Sequence, residues 1–238
     1  MRILIIPDVH LKPELFIAAD NILQAGKAEI SVCLMDIADD WNSPVPLYDE
    51  TYEAAIDFAV KFPKSLWCWG NHDLSYIWEK LETGYNFNAE HLVREKLALL
   101  EHICEDRLKY IHRIDNCLFM HGGLTESFVQ LYSDIDKSVD EVIANINSFG
   151  KDIMWRESSP IWFRPQMWAG KLYKENELTQ VVGHTPVSEP QKIDNVISTD
   201  VFSTRKDGNN IGNCQFAVVE TEAGEIIEKL NLSDYEEV

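Results

Sequence analysis

A carboxylate and an imidazole follow the first apolar run of the chain. Arg2–Ile6 reads as a buried strand, and Asp8 and His10 come just after it. Because residues i and i+2 of an extended chain project to the same side, these two side chains are expected to point into one space, as metal ligands would. Such a pair also occurs by chance in loops, so alone it is weak evidence for a site.

The second apolar run, Ile30–Leu34, leads into three carboxylates, Asp36, Asp39 and Asp40. Carboxylates directly after a buried strand suit a metal or catalytic site. The alternative is a solvated turn in which an aspartate caps the next helix. For Asp40 the two interpretations are equally good.

The third apolar run, Leu66–Trp69, ends in Gly70, Asn71 and His72, with an aspartate next. Glycine permits a tight turn or a close approach of the backbone. Asn71 and His72 are neighbours and should face different directions, which suits one metal ligand and one acid that faces a substrate. This pattern is a more specific signal than the first pair.

Two histidines beside glycine follow two later apolar runs: His121 follows Cys117–Met120, and His184 follows Gln180–Val182. A single histidine in such a place is more often structural. However, polar groups at the carboxyl ends of strands in an α/β sheet converge on one crevice, and five strand ends carry them here. Clustered carboxylates would repel each other and lose hydration, and metal ions remove that cost.

The pattern of elements favours one α/β domain over residues 1–238. Early strands alternate with helical patterns, which is typical of a largely parallel, helix-covered sheet, and the strand-rich last third predicts a second sheet packed on the first. The predicted helices are Glu14–Ala25, Thr51–Lys61, Ala89–Cys104 and Asp140–Ser148. Three further strands are predicted at Asn195–Ser198, Cys214–Val219 and Ile226–Leu230. The acidic tail, Ser233–Val238, is expected to fray.

Composition excludes several partners and locations. The net charge of −19 repels polyanions, so we expect neither nucleic-acid polymers nor anionic membranes as partners. The first residues are too short an apolar run for a signal peptide or a membrane span. The five cysteines are odd in number, lack a CxxC pair and favour reduced thiols, so we expect a cytoplasmic protein.

Five blocks together resemble one family, the calcineurin-like metallophosphoesterases, and within it the bacterial and phage-type Ser/Thr phosphatases. The blocks are D-x-H at Asp8/His10, D-x-x-D at Asp36/Asp39, G-N-H-D at Gly70–Asp73, H-G-G at His121–Gly123 and G-H-T-P at Gly183–Pro186. The resemblance implies an α/β fold (α+β in some schemes) with a two-sheet β-sandwich flanked by helices, and a centre of two metal ions.

The resemblance also implies a role for each matching residue. The first metal would be bound by Asp8 and His10, the second by Asn71, His121 and His184, and Asp36 would bridge both. His72 would act as general acid or as a donor to the phosphate, and Asp39 would orient it.

Three positions depart from the family's pattern. Met35 stands where glycine usually precedes the bridging aspartate. Pro186 stands where many members have a second histidine, which leaves the first metal an extra water. Asp40 stands where eukaryotic Ser/Thr phosphatases carry arginine, so a close match to those enzymes is not expected.

A replacement cation is expected from Ser159–Pro165, which resembles the W-x-R stretch of the bacterial and phage-type enzymes. Arg164 in this segment could bind phosphate oxygens; stacking on Trp162 or pairing with a surface carboxylate is the equal alternative. Arg156 is a weaker candidate for that role. Asp200 follows a predicted strand and could support a ligand from behind. The other histidines, His91, His102 and His112, are expected to be structural or exposed.

The resulting hypothesis is a phosphomonoesterase that uses two divalent ions, Mn²⁺ before Fe or Zn²⁺, because the ligands mix oxygen and imidazole nitrogen. Two ions sharing Asp36 would lower the pKa of a bridging water, and the hydroxide would attack phosphorus. A phosphorylated small molecule or a phosphoprotein would be the substrate. The alternatives are a phosphodiesterase or nucleotide hydrolase, and a metal-binding scaffold without catalysis.

Overall fold

The computed structural model describes residues 1–236. The end of the predicted acidic tail, Glu237 and Val238, lies outside the described residues. The first residues of that tail are ordered in a short 3-10 turn at Leu232–Asp234.

Short strands make up two sheets. In chain order they are β1 (Arg2–Ile6), β2 (Ile30–Cys33), β3 (Leu66–Cys68), β4 (Leu108–Lys109), β5 (Ile111–Ile114), β6 (Cys117–Met120), β7 (Thr179–Val182), β8 (Gln191–Ile193), β9 (Val196–Ser198), β10 (Gln215–Glu220) and β11 (Glu225–Asn231). All eight strands predicted from the sequence are present, within a residue or so at their ends.

The α-helices are α1 (Glu14–Gln24), α2 (Val45–Lys61), α3 (Asn71–Trp78), α4 (Glu90–Cys104), α5 (Glu126–Tyr132), α6 (Val139–Asn147) and α7 (Lys151–Met154). The four predicted helices match α1, α2, α4 and α6. Within residues 1–236, no helix combines the length and the apolar character that crossing a bilayer requires.

Both sheets are mixed. One has the order β11-β10-β1-β2-β3-β4, with β1 to β4 parallel and β10 antiparallel to both of its neighbours. The other has the order β5-β6-β7-β9-β8, with β6, β7 and β9 parallel and antiparallel strands at both edges. The α/β class and the helix-flanked sandwich are confirmed.

Alternation along β1 shows how the layers are built. Ile3 and Ile5 pack in the cluster between the two sheets, where Phe119 of β6 also lies. Leu4 and Ile6 face the other way and join the cluster beneath the helices. Side chains on a strand alternate with a period of two, so one fully apolar strand can bury both faces.

Two helix starts differ from the prediction. The second helix begins at Val45, six residues before the predicted Thr51, with Pro46 in its first turn. A proline there costs no hydrogen bond, because the first N–H groups of a helix have no intrahelical partner. The G-N-H-D block does not lie in a loop: Gly70 is extended, and Asn71 is the first residue of α3.

Candidate metal centre

Oxygen and nitrogen donors from both sheets meet where the parallel strands end. The first sheet contributes residues that follow β1, β2 and β3, and the second contributes residues that follow β6 and β7. The six predicted ligands are Asp8, His10, Asp36, Asn71, His121 and His184, and all except the half-buried His10 are buried. The crevice is therefore the end of the sandwich and not the edge of a single sheet.

Two groups of three residues have ligand atoms within 4.8 Å of one another. One group is Asp8, His10 and Asp36, and the other is Asp36, His121 and His184. Asp36 belongs to both, which is the position that a bridging ligand must take. The two groups match the division into first and second metal that the resemblance implies.

Lone pairs face one another around His121. Its Nδ1 lies 2.9 Å from the carbonyl oxygen of Leu34, which can only accept, so Nδ1 carries the proton. Nε2 lies 3.1 Å from Asp36 Oδ2 and 2.9 Å from Asn71 Oδ1, so either a proton or a metal ion must stand between this nitrogen and the two oxygens. Nδ1 of His184 lies 3.1 Å from Nε2 of His121. Such a meeting of acceptors is stabilised by a cation in their midst.

The imidazole of His10 is oriented in the same way. Its Nδ1 lies 2.8 Å from the backbone oxygen of Asp39 and must donate to it, so its Nε2 carries the lone pair.

Two buried polar atoms support a cation at this place. Asp8 Oδ1 accepts a hydrogen bond of 2.8 Å from the backbone N–H of His184, but Asp8 Oδ2 is buried without a partner. Nε2 of His184 is also buried without one. An unpaired buried carboxylate oxygen is costly, and ligation would satisfy it. The donor set therefore fits divalent metal ions.

The pKa shifts have the same origin. Burial raises the pKa of Asp8 well above its usual range, and the carboxylates of Asp200 and Asp36 raise it further. Burial alone would lower the pKa of His121, but Asp36 and Asp8 raise it to about 9. Both shifts mean that negative charge is concentrated here and that added positive charge, from a proton or an ion, is stabilised.

Glycines let the backbone approach the carboxylates. A Cβ at Gly70 would lie 2.1 Å from Asp36 Oδ1, and a Cβ at Gly183 would lie 2.1 Å from Asp8 Oδ2. Any side chain at either position would displace a ligand.

Several predicted site residues hold left-handed backbone conformations: the φ angles are +43° at His10, +44° at Asp36, +68° at Asp39 and +61° at His184. The expectation that Asp8 and His10 sit on extended chain was therefore wrong. Strand β1 ends at Ile6, and the chain turns before His10. Met35, which replaces the family's glycine, adopts the left-handed φ of +56° itself.

His72 and Asp39 form a pair beside the ligands. His72 Nδ1 lies 3.1 Å from Asp39 Oδ2, and the backbone N–H of His72 donates to Asp36 Oδ1 at 2.9 Å. Burial alone would lower the pKa of His72, but the carboxylates of Asp36 and Asp39 raise it to about 9.

Two tyrosines that the sequence did not single out hold Asp39. The hydroxyls of Tyr48 and Tyr76 donate to Asp39 Oδ1 at 3.0 and 2.5 Å, which leaves Oδ2 for His72. Both lie on helices, where they look like ordinary core aromatics.

Asp73, the fourth residue of the G-N-H-D block, supports the backbone next to the predicted ligand Asp36. Its carboxylate accepts from the backbone N–H groups of Ile37 and Ala38 and from the hydroxyl of Tyr52. It therefore fixes the loop that follows Asp36.

Arg164 reaches the site at the backbone of the predicted ligand His184. Its Nη1 donates to the backbone oxygen of His184 and lies 3.3 Å from Thr185 Oγ1. Arg156 does not: it is exposed, donates to the backbone of Asp152 and lies over the ring of Tyr132.

Asp200 is buried, and its charge acts on Asp8 and His10. It therefore lies behind the ligands of the first group.

Solved structures share this fold. A cold-active protein-tyrosine phosphatase of a psychrophilic Shewanella species aligns with a TM-score of 0.61 at 17% identity, over 97% of this chain and 80% of that one. Hypothetical protein PH1004 from Pyrococcus horikoshii OT3 aligns with a TM-score of 0.51 at 13% identity, over 98% and 91%. At these identities the likeness concerns the fold and not the substrate.

No curated protein matches the chain in sequence. The family model described as calcineurin-like phosphoesterase matches residues 1–211, which confirms the resemblance of the five blocks. That match covers most of the 238 residues, and the chain belongs to the calcineurin-like phosphoesterase family.

Proposed function

We propose that this phosphoesterase is a phosphomonoesterase that works with two divalent metal ions. The donor cluster around His121 carries the proposal, because it brings carboxylate, amide and imidazole donors into one buried volume that a divalent ion would fill. The ligands would be Asp8, His10 and Asp36 for one ion and Asp36, Asn71, His121 and His184 for the other. Mixed O and N donors favour Mn²⁺, with Fe or Zn²⁺ as alternatives.

Bound ions would supply Lewis acidity and a nucleophilic water at neutral pH. The protein's own residues do the rest. His72 lies beside the predicted ligands, hydrogen-bonded to Asp39, and would act as general acid to the leaving oxygen. Asp39 accepts from Nδ1 of His72, so the other ring nitrogen is the one that faces the substrate.

Arg164 supports a monoester over a diester. A monoester carries up to two negative charges on its phosphate, whereas a diester carries one. Nη1 of Arg164 is anchored to the backbone oxygen of His184, which fixes the guanidinium against the ligand cluster and directs its charge at the phosphate. We propose a phosphorylated small molecule or a phosphoprotein as substrate. The net charge of −19 opposes nucleic-acid polymers.

A substrate comparison tests the proposal. The Mn²⁺-loaded protein should hydrolyse p-nitrophenyl phosphate with a higher kcat/KM than bis(p-nitrophenyl) phosphate. Arg164→Ala should lower kcat/KM for the monoester about 10- to 100-fold, and for the diester less, because a charge-assisted hydrogen bond to the phosphate is lost. Arg156→Ala is the matched control and should change neither.

Turnover of the diester alone would show a phosphodiesterase instead. Binding of two metal ions without turnover of either ester would show a scaffold.

A further inference from the structure

A cavity of about 240 Å³ opens directly beside the metal-ligand cluster. His10 and His72 form part of its wall. His72 contacts the predicted ligand Asp36 and also lines this cavity, so a leaving group that points away from the metal ligands past His72 would lie in it. Its volume is below the roughly 300–1,000 Å³ of sites for drug-sized ligands, which suits one ring and not a dinucleotide.

An aromatic wall of this cavity is fixed in place. Trp41 lines it, and Asp40 Oδ1 accepts the backbone N–H of Trp41 at 2.7 Å. The indole N–H donates to the backbone oxygen of Thr204 at 3.0 Å. Asp40 is itself held by Lys12 Nζ at 3.0 Å and by the hydroxyl of Thr204 at 2.5 Å. A ring held at both ends offers its surface without the entropic cost of ordering it.

The Trp41 ring stays partly exposed after its polar contacts are made. It is 39% exposed, its indole N–H is bonded inside the protein, and Nζ of Lys206 lies over the ring, 6.0 Å from its centre. The neighbouring Pro186 and Ile211 add apolar surface to the same cavity. An exposed, anchored aromatic surface beside a reactive centre is what a stacking partner requires.

The charges around the cavity favour an uncharged leaving group. Among the described residues that line it there is no lysine or arginine, and its two carboxylates, Asp39 and Asp40, already accept hydrogen bonds from the protein. The lysines near it are Lys12, which is paired with Asp40, and Lys206, whose Nζ lies 6.0 Å from the centre of the Trp41 ring. A leaving group with phosphates of its own, such as a nucleoside diphosphate, would meet two carboxylates and compete with them for these cations, whereas an uncharged ring would not.

Resting on the proposed function, we propose that this cavity selects phosphate monoesters whose leaving group is a flat, uncharged aromatic ring, as in a phenol or a tyrosine side chain. Trp41 is the residue that determines the selectivity. The phosphate lies at the metal ligands and Arg164, the ester oxygen lies at His72, and the ring lies against Trp41.

Two phosphonates that cannot be hydrolysed test the ring's role without the chemistry. Benzylphosphonate has the shape of phenyl phosphate, and cyclohexylmethylphosphonate has the shape of its saturated counterpart. The saturated ring is at least as apolar, so burial alone does not favour the aromatic one. Calorimetry on the Mn²⁺-loaded full chain should give a Kd roughly three- to tenfold lower for benzylphosphonate, the range expected for one aromatic pair.

Variants assign the preference to one side chain. Trp41→Ala should bring the ratio of the two Kd values close to one, and Trp41→Phe should restore part of it. Trp168→Ala is the matched control, because Trp168 is also 39% exposed but packs on Phe163 outside the cavity. It should leave the ratio unchanged. Equal Kd values in the parent protein, binding of neither phosphonate, or an unchanged ratio in Trp41→Ala would overturn the proposal.

The same samples separate this proposal from the proposed function. Hydrolysis of p-nitrophenyl phosphate with equal phosphonate affinities would reject the aromatic cavity and keep the phosphomonoesterase. A preference for benzylphosphonate without hydrolysis of any monoester would reject the phosphomonoesterase and keep the aromatic cavity. A higher kcat/KM for a phosphotyrosine peptide with basic flanks than for free phosphotyrosine would identify a protein source of the ring, and the opposite order a small molecule.

Discussion

The left-handed residues of the metal centre show how single positions are constrained. His10, Asp36, Asp39 and His184 all have positive φ, which costs of order 1–3 kcal/mol for a residue other than glycine. Local hydrogen bonds hold them there, as when the N–H of His184 donates to Asp8. The backbone is bent so that side chains from distant parts of the chain share one small volume.

At the same scale, His72 is expected to affect turnover and not metal binding. His72→Ala should lower kcat about 10²- to 10⁴-fold for alkyl phosphates, because the leaving oxygen loses its proton donor. The loss should be smaller for p-nitrophenyl phosphate, whose leaving group needs no proton. Elemental analysis should still find two metal ions per chain. Full activity in this variant would contradict the role of His72.

Asp36→Asn provides the contrast. Asp36 belongs to both groups of ligand atoms, so removal of its charge should lower the metal content below two ions per chain. An unchanged content by elemental analysis would refute its bridging role.

The residues that could be predicted from the sequence are those whose type itself suits the chemistry. The block patterns indicated Asp8, Asp36 and His121, and the structure brings them together. Tyr48 and Tyr76 could not be found in this way. Their hydroxyls act on Asp39 only because two helices place them there, and buried tyrosines at helical spacing look like core.

At the scale of elements, apolar runs predicted the central strands and the edge strand β11, and they missed three other edge strands, β4 of the first sheet and β5 and β8 of the second. The strand β8 has the sequence Gln191–Ile193 with partly exposed side chains, so no apolar run marks it. The edge strand β5 contains a histidine and an arginine. Hydrophobic periodicity reports burial, and an edge strand buries too little to show it. Likewise α3 is short and begins inside a motif that suggests a loop.

One histidine joins the two sheets. Nε2 of His112, on β5, lies 3.0 Å from the backbone oxygens of both Trp67, on β3, and Arg107, so it donates a proton to them. Burial disfavours the imidazolium, and the pKa of His112 is lowered to about 4. The ring is therefore neutral in the folded protein.

This pKa predicts a loss of stability in acid. The unfolded chain, with a histidine pKa of about 6.5, binds the proton first as the pH falls. The contribution of the neutral His112 ring to the free energy of unfolding is therefore complete above pH 6.5. It is lost between about pH 6.5 and 4, by up to roughly 3 kcal/mol. Urea unfolding of His112→Gln should show a weaker decline over that range than the parent protein. The exposed His91→Gln is the control and should follow the parent; equal slopes for all three would reject the prediction.

At the scale of the whole molecule, the net charge of −19 opposes the approach of any phosphate ester. Added salt shortens the Debye length from about 10 Å at 0.1 M to 3 Å at 1 M. The KM for p-nitrophenyl phosphate should therefore fall with ionic strength, by a factor of about two to ten, while kcat changes little. A KM that rises with salt would indicate that the Arg164 side of the site attracts the substrate over a long range.

The predicted metal ligands come from both halves of the sandwich, which would couple ion binding to the stability of the fold. An ion held by Asp36 of one sheet and His121 of the other would resist separation of the layers, and at a hundred times its Kd it would add about 2.7 kcal/mol to the free energy of unfolding. The same linkage works in the other direction. Wherever Ile197→Ala, a substitution between the sheets that touches no predicted ligand, populates the unfolded chain, it should lower the apparent metal affinity by the fraction of protein that is unfolded.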